Sequence, residues 1–381
     1  MNVLFISSDN AKTSGAFLCM AELCRQLQDK YAVNVKVVLP YDGDGQAILN
    51  SLGINSVIIK SCTWAVPIEW NTFEKIKYKF KMCIYNIPAI HKIRKLIRND
   101  KIDIVHINTS WTYAGAIAAK LEGKKLVWHI RELLQQQQQR QIAFQYMGYS
   151  LMRKSDILIP VSSFVQDAYR KEFGERLHVV YDGVEEERFY EKKTILKGEK
   201  IHLLSIGLLN EQKGQLQAVK AIKILYENGY NNIELKIVGR GDGNYKNLIE
   251  DYVCKNGLEK IVHFCGSSST PEEYYREADI FLMTSRAEAF GRTTVEAMLS
   301  GCLVIGAESG ATTYLIQNKD TGLIYPLGDS EALAENIITS INNIKRSQEI
   351  AMCGQQYAKE NFTCKMNAKN IYYLYINLMS S

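Results

Sequence analysis

Long apolar runs are missing from this sequence. The first apolar segment, Val3 to Ile6, is much shorter than a signal-peptide core, and no stretch approaches the about 18 apolar residues of a membrane-spanning helix. We therefore expect a cytoplasmic chain that is neither exported nor integral to a membrane. Only six prolines are present, and a hydrophobic fraction of 46% with 23% charged residues is typical of a folded soluble protein.

Metal and dinucleotide motifs are missing as well. The nine cysteines form no C-x-x-C pair, and no Cys and His residues have the spacing of a zinc site, so we expect a reducing compartment and no bound metal. The segment S-D-N-A-K-T-S-G after the first predicted strand lacks the G-x-G-x-x-G fingerprint, which argues against a nicotinamide dehydrogenase. The segment D-G-D-G at 42–45 resembles a metal-nucleotide motif, but this composition also forms turns, and we favour a turn.

Strand-like and helix-like segments alternate along most of the 381 residues, a length that suits two domains. Strands that are apolar throughout and alternate with helices predict parallel sheets covered on both faces. A first series of such strands ends before the polar stretch E-E-E-R-F-Y-E-K-K-T-I-L-K-G-E-K, and a second series begins with K-I-H-L-L-S-I-G. The pattern therefore predicts an α/β chain with two doubly wound domains and a linker between them.

The segment E-A-F-G-R-T-T-V-E carries the strongest combination of candidate residues. Glu288 and Glu296 stand eight residues apart, across a Phe-Gly turn that follows the predicted strand A-D-I-F-L-M-T. A strand that ends in such a turn and opens a helix offers backbone amides and a positive helix end to an anion such as a diphosphate. The alternative is an ordinary helix start with surface glutamates, and the spacing alone leaves both interpretations open.

Three other features are weaker when taken singly. Lys213 precedes Gly214 at the start of a predicted helix, where a lysine either binds phosphate or lies on the surface. Gly15 ends the loop after the first strand and permits a ligand to approach the backbone closely. His129 ends the strand K-L-V-W-H-I and can face a crevice, although a lone histidine is more often structural, and we expect His106 in the core.

Two segments have a biased composition. The run Gln135–Gln139 predicts a solvated helix or loop without chemistry. Between Phe73 and Arg98, eight basic residues alternate with apolar and aromatic ones, and Glu74 is the only acid. We predict that this stretch is a surface that contacts anionic membrane; the alternative is a solvated helix pair whose apolar residues pack inward.

Taken together, the segments resemble family 4 of the glycosyltransferases, a retaining, metal-independent family with the two-lobed GT-B fold. The resemblance spans nearly the whole chain and is carried, in order, by SDILIPVSSFV, HVVYDGVEEERF, SIGLLNEQKG, LKIVGRGDG, IVHFCG, EAFGRTTVEAMLSGCLVIGAESG and DTGLIYPLGD. It implies two Rossmann-like domains that face a central cleft. The implied boundaries are an acceptor-binding domain at 1–187, a linker at 188–200, a nucleotide-sugar-binding domain at 201–358, and a C-terminal helix at 359–381 that crosses back to the first domain.

The resemblance also implies roles for individual residues. Lys213 is expected to contact the donor diphosphate, Glu288 the hydroxyls of the transferred sugar, and Glu296 the ribose, while His129 approaches the donor sugar. The expected catalytic residues are thus Glu288, Lys213 and His129, and the expected donor-binding residues are Gly15, Gly207, Lys213, Phe290, Gly291, Arg292, Thr293 and Glu296.

The sequence departs from the family pattern at three places. Leu208 stands where the family often has an arginine for the diphosphate, and Arg292 is a candidate to replace it. Tyr314 stands where an acid often follows the last glycine loop, which leaves the nucleotide and sugar preference open. The usual Asn-Gly before the linker is Asp182-Gly183, a mild change because both pairs suit turns.

The resemblance implies a nucleotide-diphosphate sugar as substrate, and no cofactor, metal or nucleic acid. The expected acceptor is a saccharide or a lipid-linked intermediate of surface polysaccharide synthesis, reached from the cytoplasm at the inner face of the membrane. Two alternatives remain at this point: a nucleotide-sugar epimerase on the same fold, and a donor-binding partner subunit without turnover. Acceptor-dependent release of nucleoside diphosphate distinguishes the transferase from both.

Overall fold

The computed structural model describes residues 1–191, 193–241 and 243–380. The chain forms two compact units. Unit 1 comprises residues 1–183 together with the C-terminal segment that begins at Cys364, and unit 2 is Val184–Thr363. Among the residues so described, no helix combines the length and the apolar character needed to cross a membrane.

Unit 1 is built on a six-stranded parallel sheet. Its strands are β1 (Asn2–Ile6), β2 (Asn34–Leu39), β3 (Asn55–Ile58), β5 (Ile104–Ile107), β6 (Lys125–Ile130) and β8 (Ile157–Pro160), while β4 (Ala65–Pro67) and β7 (Arg140–Ile142) form a separate antiparallel pair. The order in the sheet is β3-β2-β1-β5-β6-β8. The strands are apolar on both faces because helices cover both sides, as the sequence pattern predicted.

Some helices of unit 1 begin at residues whose side chains cap the helix. The helices of this unit are α1 (Gly15–Tyr31), α2 (Gly45–Ser51), α3 (Thr72–Asn99), α4 (Ala114–Leu121), α5 (Leu134–Gln138), α6 (Gln145–Arg153), α7 (Ser163–Phe173) and a 3-10 turn at Gly174–Arg176. The Ser14 hydroxyl accepts a hydrogen bond from the Phe17 amide at the start of α1. Asn71 and Glu74 form a reciprocal capping box at the start of α3, which satisfies two amides that have no partner inside the helix.

Unit 2 repeats the same architecture. Its parallel sheet has the order β11-β10-β9-β12-β13-β14, formed by β9 (Ile201–Ile206), β10 (Ile233–Val238), β11 (Val262–Gly266), β12 (Ile280–Met283), β13 (Leu303–Ala307) and β14 (Leu323–Tyr325). The helices are α8 (Glu186–Phe189), α9 (Gln215–Glu227), α10 (Asn244–Lys255), α11 (Pro271–Glu277), α12 (Arg292–Leu299), α13 (Thr312–Leu315), α14 (Ser330–Asn342) and α15 (Ile344–Asn361). The prediction of an α/β fold with two doubly wound parallel sheets is confirmed.

Two segments near the unit boundaries differ in detail from the sequence prediction. The stretch 188–200 was predicted as a linker, but it contributes Phe189, Ile195 and Leu196 to the buried interior of unit 2, because its few apolar residues find partners there. The predicted helix over 359–381 is divided, since α15 ends at Asn361 and a new helix, α16 (Cys364–Ser380), follows. Ala368, Ile371 and Tyr375 of α16 belong to the buried core of unit 1.

Candidate functional site

The loops that follow β9 and β12 place two of the predicted residues in contact. These strands are neighbours in the sheet of unit 2, and the strand order reverses between them, which opens a crevice at the carboxyl edge of a doubly wound sheet. Lys213 lies after β9 and Glu288 after β12, 75 residues apart, and Lys213 Nζ donates to Glu288 Oε1 at 2.5 Å. Their side chains remain 32% and 14% exposed, so solvent reaches the pair.

Hydrogen bonds to its backbone amide and carbonyl fix Lys213 in position, in addition to the contact of its side chain. The Lys213 amide donates to Asn210 Oδ1 at 2.9 Å, and the Thr284 hydroxyl donates to the Lys213 carbonyl at 2.7 Å. Gly214 follows with a φ of +67°, and a Cβ at this position would lie 2.5 Å from the Thr284 carbonyl oxygen. The Lys-Gly pair therefore ties the loop after β9 to the end of β12, and only glycine fits the second position.

Glu288 is held in a similar way by the loop that follows β13. Its carbonyl accepts a hydrogen bond from the Ala311 amide at 2.8 Å. A Cβ on Gly310, whose φ is +53°, would lie 2.6 Å from the Glu288 amide nitrogen, so this glycine permits the two loops to meet. Three loops of one sheet edge thus fix a lysine and a carboxylate side by side, and each can exchange its partner for a ligand: phosphate oxygens for the lysine and hydroxyls for the carboxylate.

The start of α12 adds a positive helix end to this crevice. Gly291 is the N-cap with a left-handed φ of +93° and no capping side chain, and the buried Phe290 precedes it. The half-buried Thr293 lies in the first turn, where its carbonyl accepts a hydrogen bond from the Tyr275 hydroxyl at 3.4 Å. Backbone amides at this end of a helix favour negatively charged ligands.

Glu296 is nearly buried, and both of its carboxylate oxygens have protein partners. The Tyr275 hydroxyl donates to Oε2 at 2.9 Å, and Arg292 Nη2 donates to Oε1 at 3.4 Å. Burial, followed by the charge of Glu296, raises the pKa of Tyr275 well above its usual value, so this phenol stays a hydrogen-bond donor. Arg292, considered above as a substitute for the arginine missing at Leu208, thus contacts Glu296 in this structure.

The remaining predicted positions of unit 2 surround the same loops. Gly207 directly follows β9, and a Cβ placed on it would lie 3.6 Å from Lys213 Cδ, so the lysine stem extends along this glycine. Leu208 is exposed, and its carbonyl accepts from the Gln215 side-chain amide at 3.1 Å. Tyr314 lies in α13 and is also exposed.

In unit 1, the loop after β1 is closed by the segment 42–45. Asp44 accepts a hydrogen bond from the Lys12 amide at 2.8 Å, and the Gly45 amide donates to the Asn10 carbonyl at 3.3 Å, so D-G-D-G forms a turn against this loop. Gly15 is the exposed first residue of α1. Within the described residues, no three or more His, Cys, Asp or Glu side chains are grouped as a metal site requires.

His129 lies in β6 of unit 1 with no exposed surface, as does His106 in β5. Arg131 Nη2 is 3.3 Å and His106 Nε2 is 3.2 Å from His129 Nδ1, and the Tyr375 hydroxyl of α16 contacts His106 Nδ1. His129 Nε2 is buried and has no protein partner. A ligand contact at His129 therefore needs a rearrangement that exposes this nitrogen.

The hydrogen-bond directions in this chain follow from Arg131, which has only donors. His129 Nδ1 must accept, so the proton of His129 resides on Nε2. His106 then donates from Nε2 and accepts the Tyr375 proton at Nδ1. Burial, together with the charge of Arg131, holds the pKa of both histidines well below the usual value, so both rings are neutral.

Two charged residues that sequence reasoning did not single out, Arg131 and Glu132, directly follow β6. Arg131 forms a buried ion pair with Asp182 and also donates from Nε to the Asn108 carbonyl at 3.1 Å. Glu132 Oε1 accepts from the Ser110 amide at 2.7 Å, and burial raises the pKa of Glu132 to about 7. The position of these residues could have marked them as candidates from the sequence. An Arg-Glu pair directly after a buried strand lies at the carboxyl edge of the sheet, where ligands bind.

Two stretches of the chain match known protein families. Residues 186–357 match the family described as "Glycosyl transferases group 1", and residues 13–188 match "Glycosyltransferase Family 4". An uncharacterized glycosyltransferase of Methanocaldococcus jannaschii, MJ1178, is 25% identical over 326 residues, which cover 80% of this chain and 88% of that protein. The amylovoran biosynthesis glycosyltransferase AmsK of Erwinia amylovora is 27% identical over 325 residues, which cover 80% of this chain and 77% of AmsK.

A solved structure extends the likeness to the fold. Anabaena Alr3699/HepE in complex with UDP aligns with a TM-score of 0.81 at 22% identity, covering 99% of this chain and 100% of that one. The two family matches together span residues 13–357; one covers the unit 1 sheet from β2 onward, and the other covers the sheet of unit 2. The chain therefore belongs to family 4 of the glycosyltransferases and has the GT-B fold.

Proposed function

We propose that this chain transfers a sugar from a nucleoside-diphosphate sugar to an acceptor hydroxyl, with retention at the anomeric carbon and without a metal ion. The donor binds in unit 2 at the crevice between the loops after β9 and β12. The observation that carries the proposal is the partly exposed Lys213–Glu288 pair beside the start of α12. Retention is the outcome that membership of family 4 implies.

The chemistry follows from which atoms gain charge. When the bond between the anomeric carbon and the diphosphate breaks, negative charge develops on the phosphate oxygens. Lys213 and the amides at the start of α12 supply positive charge there, the task that a metal ion performs in other transferases. Glu288 accepts hydrogen bonds from sugar hydroxyls and so orients the ring. The attacking acceptor hydroxyl approaches from the side on which the nucleotide leaves.

Substitution of either residue tests the assignment. We expect Lys213→Ala and Glu288→Ala each to lower kcat by about 100-fold or more while the fold remains intact, because both side chains are partly exposed and act on developing charge. Lys220→Ala is the matched control, since Lys220 is an exposed lysine on α9. The assay is release of nucleoside diphosphate from a panel of UDP-, GDP- and ADP-sugars. Near wild-type turnover of either variant at saturating donor would reject the site.

The same assay separates the competing activities. Release that depends on acceptor supports transfer, whereas an epimerase and an inactive donor-binding subunit both give none. Activity is expected to persist in chelator, because Lys213 and backbone amides occupy the position of a metal. Complete loss that magnesium or manganese restores would contradict metal independence.

We further propose that the reaction belongs to surface polysaccharide synthesis on a lipid-linked acceptor at the cytoplasmic face of a membrane. The relative AmsK acts in amylovoran biosynthesis, by its name, and supports a polysaccharide product. The surface of α3 supports the membrane contact. Its residues Phe73 and Phe80 are 75% and 71% exposed.

The exposed apolar residues of α3 form a stripe, which we call the α3 stripe. Its members recur at spacings of three and four residues and therefore share one helix face: Phe73, Ile76, Phe80, Ile84 and Ile87. The residues that pack into unit 1 lie on another face of the same helix: Met82, Asn86, Ala89, Ile93 and Ile97. The alternative of a helix pair whose apolar residues all pack inward is therefore wrong, because α3 is a single helix with two apolar faces.

Lysines beside the α3 stripe favour an anionic membrane over a neutral partner. Lys77 and Lys81 are exposed and flank the α3 stripe, and each charge near an anionic surface contributes about 1 kcal/mol. Lys75 and Lys79 lie half-buried on the opposite side of the same turns, where Lys75 Nζ donates to the Ile68 carbonyl and Lys79 Nζ lies over the Phe144 ring. Co-sedimentation with vesicles of phosphatidylcholine, with and without phosphatidylglycerol, tests the contact. We expect salt-sensitive binding to the anionic vesicles alone.

A charge-matched control separates this surface from a general effect of net charge. Replacement of Lys77 and Lys81 by glutamate is expected to abolish vesicle binding. The same change at two exposed lysines of unit 2, Lys220 and Lys255, is expected to leave it intact. Equal binding to neutral and anionic vesicles, or equal loss in both variants, would contradict the proposal.

A further inference from the structure

Tyr275 of α11 has no exposed surface, and its hydroxyl contacts the carboxylate of Glu296 in α12. The hydroxyl oxygen lies 2.9 Å from Glu296 Oε2 and 3.4 Å from the Thr293 carbonyl oxygen. The carboxylate is the nearer of the two acceptors and carries charge, so it takes the larger share of the single hydroxyl proton. One helix of unit 2 thus supplies a buried donor to a carboxylate on the next helix.

Packing and a lysine hold Tyr275 in place. Its ring meets the rings of Phe189 and Phe281 at centroid distances of 5.8 Å and 5.6 Å. Its carbonyl accepts a hydrogen bond from Lys193 Nζ at 2.6 Å, and the same ammonium group donates to the Ala278 carbonyl, just after the end of α11. A cation at the last carbonyls of a helix stabilises that helix end. The Tyr275 hydroxyl is therefore fixed before any ligand binds, which lowers the ordering cost of binding.

The two carboxylate oxygens of Glu296 are held with different strength. Arg292 Nη2 lies 3.4 Å from Oε1, outside the usual range of roughly 2.7–3.2 Å for this type of hydrogen bond. The Arg292 side chain is 29% exposed, so water can replace Glu296 as a partner of this guanidinium. The Tyr275 contact to Oε2 is shorter and lies out of solvent. A ligand can therefore displace Arg292 from Oε1 far more easily than Tyr275 from Oε2.

Glu296 lies close to the place that the proposed function gives to the donor diphosphate. That place is the start of α12, where Gly291 is the N-cap, and Glu296 follows it by about 7 Å along the helix axis. Side chains of a helix tilt toward its N-terminus, which brings the carboxylate nearer to the diphosphate. In a nucleoside diphosphate the group next to the phosphates is the ribose, whose hydroxyls donate well to a carboxylate.

We propose that Tyr275 is a positioning residue for ribose selection, which holds Glu296 Oε2 and so presents Oε1 to a ribose hydroxyl of the donor. This inference rests on the proposed transferase function, since it concerns the nucleotide part of the donor. Tyr275 acts through Glu296 and does not touch the donor itself. The hydroxyl of Tyr275 is therefore the group on which ribose selection depends, whereas the ring serves packing.

Nucleotide binding to the full chain, measured by titration calorimetry, tests this without an acceptor. Titration with UDP, GDP and ADP identifies the base that binds, and the 2′-deoxy and 3′-deoxy forms of that diphosphate then measure ribose selection. We expect the ribonucleotide to bind roughly 10- to 100-fold more tightly than at least one deoxy form, the range for a hydrogen bond to a charged group. We call this ratio of dissociation constants the ribose preference.

Tyr275→Phe keeps the ring and removes the hydroxyl alone, and we expect it to lower the ribose preference several-fold. Glu296→Gln should remove most of the preference. The double variant should lose no more than Glu296→Gln, because Tyr275 acts through that carboxylate. Tyr325→Phe is the matched control, since Tyr325 is also a buried tyrosine of unit 2 and its hydroxyl donates to the uncharged Gln217 side chain at 3.2 Å. It should leave the ribose preference unchanged.

The ratio separates positioning from a structural role. A general loosening of unit 2 by Tyr275→Phe would weaken the ribonucleotide and its deoxy forms equally, and an unchanged ribose preference in this variant would overturn the proposal. Full ribose preference in Glu296→Gln would overturn it as well, even if Tyr275→Phe failed to fold.

Failure of the donor site itself gives a different result. If the wild type binds none of the three nucleotides, the assignment of the donor site to unit 2 fails, and the inference about Tyr275 fails with it. If Lys213→Ala loses nucleotide binding while Tyr275→Phe keeps the full ribose preference, the donor site stands and the inference about Tyr275 alone is rejected.

Discussion

Glu132 makes the stability of unit 1 depend on pH in a way that one substitution removes. Burial raises the pKa of Glu132 to about 7 from an ordinary value of 4.5. Between these two values the folded chain binds more protons than the unfolded chain. The cost of ionising Glu132 in the folded state is therefore absent below pH 4.5, grows as the pH rises, and is complete above the folded pKa.

The size of the effect follows from the two pKa values. The difference between them corresponds to about 3 kcal/mol of lost stability above pH 7, and to about 1 kcal/mol at pH 5. Glutamine in place of Glu132 keeps an oxygen acceptor for the Ser110 amide but cannot ionise. We therefore expect Glu132→Gln to be about 3 kcal/mol more stable than the wild type at pH 8, an advantage that shrinks by about 2 kcal/mol at pH 5.

Urea unfolding, followed by tryptophan fluorescence, measures the difference in unfolding free energy between Glu132→Gln and the wild type in the full chain. All four tryptophans, Trp64, Trp70, Trp111 and Trp128, belong to unit 1, so the signal reports on that unit. Glu175→Gln, a change at an exposed position of unit 1, should show no pH-dependent difference from the wild type. A stability difference for Glu132→Gln that is the same at pH 5 and pH 8 would refute the reasoning.

Three further predictions concern the conformation of loops and the buried charges. Gly214→Ala is expected to lower the thermal stability of unit 2 by about 1–3 kcal/mol, measured by circular dichroism, because a Cβ would lie 2.5 Å from a backbone oxygen and φ is positive. Nitrogen-15 NMR of the histidine rings should show His129 protonated on Nε2, with His106 and His129 both neutral at pH 6; an imidazolium signal from either ring would contradict the hydrogen-bond directions. Asp182→Asn leaves Arg131 as an uncompensated buried charge and should destabilise unit 1 by about 3–5 kcal/mol in urea unfolding, and a loss below 1 kcal/mol would show that the pair is dispensable.

Much of the architecture could be predicted from local patterns. Strands such as β1 and β9 are apolar on both faces, which is specific to parallel sheets under helices, and each is followed by a helix. Lys213 and Glu288 could be placed at strand ends for the same reason. Their contact at 2.5 Å could not, because it depends on β9 and β12 being neighbours, and the order of strands within a sheet leaves no periodic trace in the sequence.

The charged residues after β6 were missed for a different reason. Charged side chains are rarely buried, so Arg131 and Glu132 suggest a surface loop until the structure shows Asp182 and the Ser110 amide as their partners. The α3 stripe was readable in principle, since its spacing of three and four residues is in the sequence. Interspersed lysines obscured it, because basic and apolar residues alternate over the first turns of the helix.

The C-terminal helix α16 has a consequence for the order of folding. Its residues Ala368, Ile371 and Tyr375 fill the core of unit 1, whereas the residues of unit 2 all precede it in the chain. During synthesis, unit 2 is therefore complete while unit 1 still lacks a helix of its core. Domains generally fold as units once their residues have emerged from the ribosome. Of the two units, the N-terminal one is thus completed second, and the hydrophobic surface that α16 covers stays open until α16 has emerged from the ribosome.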